Sequence, residues 1–218
     1  AIQLSQHAEQ SGVDAVLVVN PYYVKPTQKG LYLHFKAVAE SISIPCIVYN
    51  IQGRTGVNVE NETLMRLMNE NPNIVGVKEA SGSLEQMKNL LGLRREQFVV
   101  LCGDDNMTVD LIEAGGNGVV SVAANLIPRQ MKAMVHSALD GNLVRAREIE
   151  TQLMPFFKAC FIETNPIPIK TAMAMKKWCK EEFRLPMCSL SRDEHYTVIR
   201  EAMEALDIQE ASSRKVNI

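Results

Sequence analysis

The 218-residue chain has no excess of either charge, with a formal net charge of -2 and both signs interspersed. That argues against the electrostatic footprint of a nucleic-acid binder and against a polybasic membrane patch, and favours a small-molecule partner. No apolar run approaches the roughly 20 residues that span a bilayer. The first residues lack the charged-then-apolar order of a secretory signal. The five cysteines, Cys46, Cys102, Cys160, Cys179 and Cys188, include no Cys-x-x-Cys pair. Their odd number and wide spacing suit reduced, mostly buried thiols in a reducing compartment. His7, His34, His136 and His195 form no pair at metal-ligand spacing, so no metal site is expected.

What is present is an ordinary globular composition, 46% hydrophobic and 22% charged, with a regular alternation running through it. A helix-like start, Ala1 to Ser11 with Ile2, Leu4 and Ala8 as its apolar points, stops at Gly12. Five apolar runs without internal alternation follow: Asp14 to Asn20, Pro45 to Asn50, Ile74 to Lys78, Phe98 to Cys102 and Gly118 to Val122. Each precedes a helical pattern, at Thr27 to Ile42 (with Leu31, Leu33, Phe35 and Val38), Glu60 to Met68, Ser83 to Leu91, Asn106 to Ala114 and Pro128 to Leu139. Unalternating strands each followed by a helix predict a parallel sheet covered by helices, an α/β fold. The spacing is that of the (β/α)8 TIM-barrel family, here with five βα units. A doubly wound sheet competes, but no Gly-x-Gly-x-x-Gly turn follows any of the five strands.

After Asp140 the alternation ends, and Leu143 to Phe161, Ile167 to Lys180 and Ser191 to Leu206 read as helices. The expected organisation is a partial barrel over residues 1–139 and a C-terminal helical appendage over 140–218, ending in a loose tail from Ala211 to Ile218. A complete barrel needs eight strands and about 250 residues. The first three strands are therefore expected to lie upstream of Ala1, in a truncated chain.

The chain is organised around Ile74-Val75-Gly76-Val77-Lys78-Glu79-Ala80-Ser81-Gly82, a β-branched run that carries one lysine to its end and then breaks. Desolvation disfavours an ammonium ion, so a lysine delivered by such a strand can act as a neutral nucleophile and form a Schiff base with a carbonyl compound. The bland alternative is a lysine that snorkels to solvent. The other strand ends are polar and aromatic: Asn20-Pro21-Tyr22-Tyr23, then Tyr49-Asn50 with Gly53-Arg54-Thr55-Gly56, then Gly103-Asp104-Asp105, then Val119-Val120-Ser121. If the strands are adjacent, Tyr49 stands beside Lys78, and its phenol can shuttle protons at the carbinolamine stage. Arg54 has the planar fork that clamps a carboxylate, or else makes a surface ion pair. Tyr22 and Tyr23 suit an interface. Asp104 and Asp105 precede a helix, where an acid is expected as a cap.

These strand-end segments, with Gly118 to Asn125, Asn165-Pro166-Ile167-Pro168-Ile169-Lys170 and Arg184-Leu185-Pro186-Met187, resemble the dihydrodipicolinate synthase family in register from Ala1 to about Leu206. The resemblance implies a class I aldolase that condenses pyruvate with L-aspartate 4-semialdehyde on the way to diaminopimelate and lysine. It makes Lys78 the Schiff-base residue, Tyr49 the proton donor and acceptor, and Tyr23 a relay reaching into a neighbouring subunit. Arg54 would hold a carboxylate, Val120 and Gly103 would line the pyruvate pocket, and Tyr22 would contact an allosteric lysine. It implies a homotetramer, a cytoplasmic bacterial location with a plastid as the other option, and no cofactor beyond the covalent imine on Lys78. Sister pyruvate aldolases, N-acetylneuraminate lyase and the 2-keto-3-deoxy-sugar acid aldolases, share the lysine and tyrosine, whereas Arg54 points to the synthases. The chain departs from the family at Gln52, where proline is common, and at Val120, where isoleucine is usual. The family's Gly-Thr-Thr-Gly-Glu loop belongs upstream of Ala1, which leaves an inactive truncated remnant as a further alternative.

Overall fold

The computed structural model describes residues 1–207, so the tail expected from Ala211 to Ile218 lies outside the described residues. The chain divides into two compact units, Ala1–Val120 and Ser121–Ile218. The boundary thus falls before the helix that begins at Pro128, whereas the alternation of strands and helices placed it after that helix, between residues 139 and 140. The reason is packing: that helix makes its main contacts with the one that follows it.

In the first unit the elements follow one another as α1 (Ile2–Gln10), β1 (Val16–Val19), α2 (Gln28–Glu40), β2 (Cys46–Asn50), α3 (Gln52–Thr55), α4 (Asn61–Glu70), β3 (Ile74–Glu79), α5 (Leu84–Leu93), β4 (Val99–Cys102), α6 (Thr108–Glu113) and β5 (Gly118–Val119). The five strands form one sheet in the order β1-β2-β3-β4-β5, every pair parallel. This is the expected α/β architecture. β5 is shorter than its expected span to Val122. The short α3 and the 3-10 turn Asp105–Met107 are additional to the elements that the apolar pattern predicts.

Alternation of side chains across the strands sets what each face sees. The row Val18, Val48, Val77 and Val100 is in register and buried. It forms one core with Leu31 and Phe35 of α2, Leu64 and Leu67 of α4, and Met87 and Leu90 of α5. Burying each of these side chains contributes on the order of 1.5–3 kcal/mol. The opposite row, Val19, Tyr49, Lys78 and Leu101, is half-buried or exposed.

Two helices show how the apolar stripe selects among residues. In α2 the buried side chains are Leu31, Tyr32, Phe35, Val38 and Ala39, while Leu33, expected inside, is exposed because it lies two positions from Leu31 on a 3.6-residue turn. In α1 Ile2 and Leu4 are exposed and Ser5 is the buried residue, so the inward face of this helix is not its apolar one. The Thr27 side chain caps α2 by accepting from the Gly30 amide at 3.3 Å, and Ser83 caps α5 by accepting from the Gln86 amide at 3.2 Å.

The second unit contains α7 (Pro128–Leu139), α8 (Leu143–Ala159), α9 (Ile167–Met175) and α10 (Asp193–Glu204). α7 packs on α8, and α10 on both α8 and α9. α9 stops five residues before the expected Lys180, and Lys177 just beyond it takes a left-handed φ of 58°. Among the described residues no helix is long and apolar enough to cross a membrane.

Candidate active site

β2 and β3 place Tyr49 and Lys78 side by side as register partners. The Lys78 Nζ stands 3.9 Å from the centroid of the Tyr49 ring, within the range of a cation–π contact. Both side chains are half-buried. The dry amine expected at this strand end is therefore corrected: the fully buried ionisable side chain is the next one, Glu79. Period-two geometry sends Lys78 to the less covered face and Glu79 into the helix-covered one.

The neighbouring strand end comes close. The Gly103 amide donates to the Glu79 carbonyl at 2.8 Å, and a Cβ on Gly103 would lie 2.5 Å from the Cβ of Ala80. Only a residue without a side chain allows β4 to approach β3 there. The Val120 amide donates to the Cys102 carbonyl at 2.9 Å, and its side chain is 38% exposed.

Asp104 does not act as the expected cap, for its side chain makes no capping bond to the turn that follows. Burial pushes its carboxyl above the ordinary range, the adjacent Asp105 adds to this, and the Lys78 ammonium pulls it back. Asp104 is thus an acid within electrostatic reach of the amine. Its place in a run of two acids before a helix concealed that. Among the described residues no group of three or more His, Cys, Asp or Glu could hold a metal ion.

Arg54 lies on the exposed surface of α3, one turn of helix that ends at Gly56 with φ 74°. Thr55 anchors that turn, its single hydroxyl proton shared between the Ile51 carbonyl at 2.8 Å and the Val57 carbonyl at 3.0 Å. Gln52, where the family commonly has proline, occupies the first position of α3, where either residue is accommodated. Tyr22 and Tyr23 occupy the loop after β1 and are 72% and 90% exposed. Tyr23 has φ 72° and Lys25 φ 45°. The Lys25 side chain passes over Gly56, where a Cβ would meet its Cε at 2.9 Å. The structure therefore joins Tyr49, Lys78, Asp104 and Gly103 at adjoining strand ends, and leaves Tyr22, Tyr23 and Arg54 on exposed segments.

With this arrangement in view, residues 1–206 match the Dihydrodipicolinate synthetase family. The chain belongs to that family. A relative from Protochlamydia amoebophila, a 4-hydroxy-tetrahydrodipicolinate synthase, is 46% identical over 196 residues, covering 88% of this chain and 65% of its own. The crystal structure of dihydrodipicolinate synthase from Aquifex aeolicus superposes with a TM-score of 0.94 at 43% identity, covering 97% of this chain and 72% of that one. The Cyanidioschyzon merolae enzyme with lysine bound has a TM-score of 0.92 at 38% identity, covering 95% of this chain and 70% of that one. The chloride-inhibited Acinetobacter baumannii enzyme complexed with pyruvate has a TM-score of 0.91 at 37% identity, again covering 95% and 70%. The chain spans about two thirds of the length of the curated relatives it matches. These likenesses agree with the barrel fold class and do not favour the sister aldolases.

Proposed function

We propose that this protein carries the Schiff-base machinery of a 4-hydroxy-tetrahydrodipicolinate synthase, condensing pyruvate with L-aspartate 4-semialdehyde. The observation that carries this is the pairing of one amine and one phenol on adjacent parallel strands, with Nζ 3.9 Å from the ring centroid. The Lys78 nitrogen adds to the keto carbon of pyruvate to give a carbinolamine, which loses water to form an imine. Loss of a methyl proton then gives an enamine, whose carbon attacks the aldehyde as the aldehyde oxygen takes up a proton and the imine re-forms. The semialdehyde's own amine then adds to the imine carbon and displaces the Lys78 nitrogen, closing the ring and freeing the lysine. The Tyr49 hydroxyl moves the protons of these steps, and Tyr23, nearly free of its own chain, supplies the relay from a neighbouring subunit. Arg54 receives a carboxylate, and the backbone at Gly103 and Val120 lines the pyruvate end. No cofactor beyond the covalent imine takes part.

The pyruvate complex and the lysine complex of the relatives support the substrate assignment and lysine as a feedback ligand, and the family resemblance of its loop makes Tyr22 the residue proposed for that second site. The exposed Tyr22-Tyr23-Val24 surface supports a dimer, and two such dimers a homotetramer. Five cysteines with no disulfide between them among the described residues support a reducing location such as the bacterial cytoplasm. Borohydride reduction with pyruvate tests the central step: the peptide containing Lys78 gains a three-carbon mass, and Lys78→Ala abolishes it. A folded sample with unlabelled Lys78 refutes the proposal.

A further inference from the structure

Glu79 is a buried ionisable group for which the chemistry above has no use. Its side chain is fully buried, and burying a carboxylate is costly unless it is well bonded. It is well bonded: Oε1 accepts the Ser81 amide at 2.7 Å, and Oε2 accepts the Asn50 amide nitrogen at 3.0 Å and that of Gln86 at 3.4 Å. Asn50, also fully buried, is the register partner of Glu79 on β2. Its Oδ1 accepts from the Asn20 side chain at 2.9 Å and from the Val59 amide at 3.0 Å, and its Nδ2 also donates to Asn58 Oδ1 at 2.8 Å. Asn20, Asn50 and Glu79 thus form a polar row across the ends of β1, β2 and β3. Each stands one residue beyond Val19, Tyr49 and Lys78, on the opposite face of the sheet.

We propose that Glu79 is a positioning residue: through Asn50 it locks the ends of β2 and β3 in register, and so holds the Lys78 amine against the Tyr49 ring. The backbone ladder and the buried valine row set the register of β2 and β3, but at the last residues of the strands they leave the side chains beyond that row open to a local slide. A row of hydrogen bonds between fixed donors and acceptors resists it. Every neighbour of the Glu79 carboxylate donates, so polarity as well as shape is specified. Displacing Lys78 by a fraction of the distance to its partner slows attack on a carbonyl, whose rate depends steeply on geometry.

This role rests on the Schiff-base function proposed above. The test measures, per folded molecule, the rate at which borohydride-trappable pyruvate adduct forms on Lys78, together with kcat, the KM for pyruvate and Tm. Glu79→Gln sets an amide NH2 against a donor and is expected to slow adduct formation about tenfold or more, lowering kcat more than it raises KM. Asn50→Asp, which opposes two carboxylates, is expected to do the same. The double variant Asn50→Asp/Glu79→Gln reverses the polarity of the link and should recover part of the rate that each single change loses. Should Glu79→Gln fail to fold, Glu79→Asp keeps the charge but is too short to reach both Ser81 and Asn50, and should show an intermediate rate. A Tm loss with an unchanged adduct rate in the folded variant overturns the positioning role, as does a double variant no faster than either single. A wild-type protein that forms no adduct overturns the Schiff-base function itself.

Discussion

Lys78 places its Nζ 3.9 Å from the centroid of the Tyr49 ring, on the strand next door and in direct register with it. The ring face is therefore what is presented to the nitrogen. A cation over an aromatic face gains about 0.5–2 kcal/mol depending on exposure, a gain open to the Lys78 ammonium and, in the chemistry proposed above, to a protonated imine at the same nitrogen.

The ring and the hydroxyl of Tyr49 can be separated by substitution. Tyr49→Phe keeps the ring and should still form the borohydride-trappable adduct, while turnover falls on the order of 10²-fold for want of a proton carrier. Tyr49→Leu removes both and should depress adduct yield as well. Equal adduct yields in the two variants at subsaturating pyruvate would show that the ring contributes nothing.

Close approach of β3 and β4 makes Gly103 and Gly76 sensitive. A Cβ at Gly103 would lie 2.5 Å from Ala80 Cβ and 3.2 Å from the Glu79 carbonyl, and one at Gly76 would lie 2.6 Å from the Val99 carbonyl. Each Gly→Ala change should cost about 1–3 kcal/mol through overpacking, read from urea midpoints at constant m. Only Gly103→Ala, at the strand end, should also lower kcat in the remaining folded protein.

Burial pushes the Glu79 carboxyl above its ordinary value of 4.5, outweighing the donors on Ser81, Asn50 and Gln86. The folded protein then holds this proton more tightly than the unfolded chain does. The group's contribution to stability is complete below pH 4.5 and is lost as pH rises through the folded value. Asp104 shifts in the same direction but is partly solvated, so its share is smaller. Stability measured upward from pH 4.5 should decline less in Glu79→Gln than in wild type, and parallel curves would contradict a raised Glu79.

The thiols should react in an order set by burial. Cys188 is exposed and Cys179 half-buried, whereas Cys46, Cys102 and Cys160 are buried. Burial also pushes Cys46 up to about 11 and Cys102 up to about 12, which leaves almost no thiolate at pH 8. A thiol reagent at that pH should label Cys188 first and Cys179 next, with the other three appearing only on unfolding, as peptide mass mapping would show.

Linear order was enough to reveal the five strands and their helices, and to set Tyr49 and Lys78 at the ends of two of those strands. A buried strand announces itself by an unbroken β-branched run, and a helix by its 3.6-residue stripe. Leu33 was misplaced because a count of apolar residues ignores the angle between positions, and α9 ended early because Lys177 takes a left-handed φ that propensity does not register.

Burial and pairing across strands belong to the folded chain alone. Adjacent residues such as Lys78 and Glu79 look equivalent in a list, yet the pleat turns one toward the phenol and seals the other among amides. Asp104 could be told from a helix cap only once its distance from the amine mattered, since a charge acts through space and not along the chain. Residue types fixed the available chemistry, whereas the register of parallel strands fixed which groups meet.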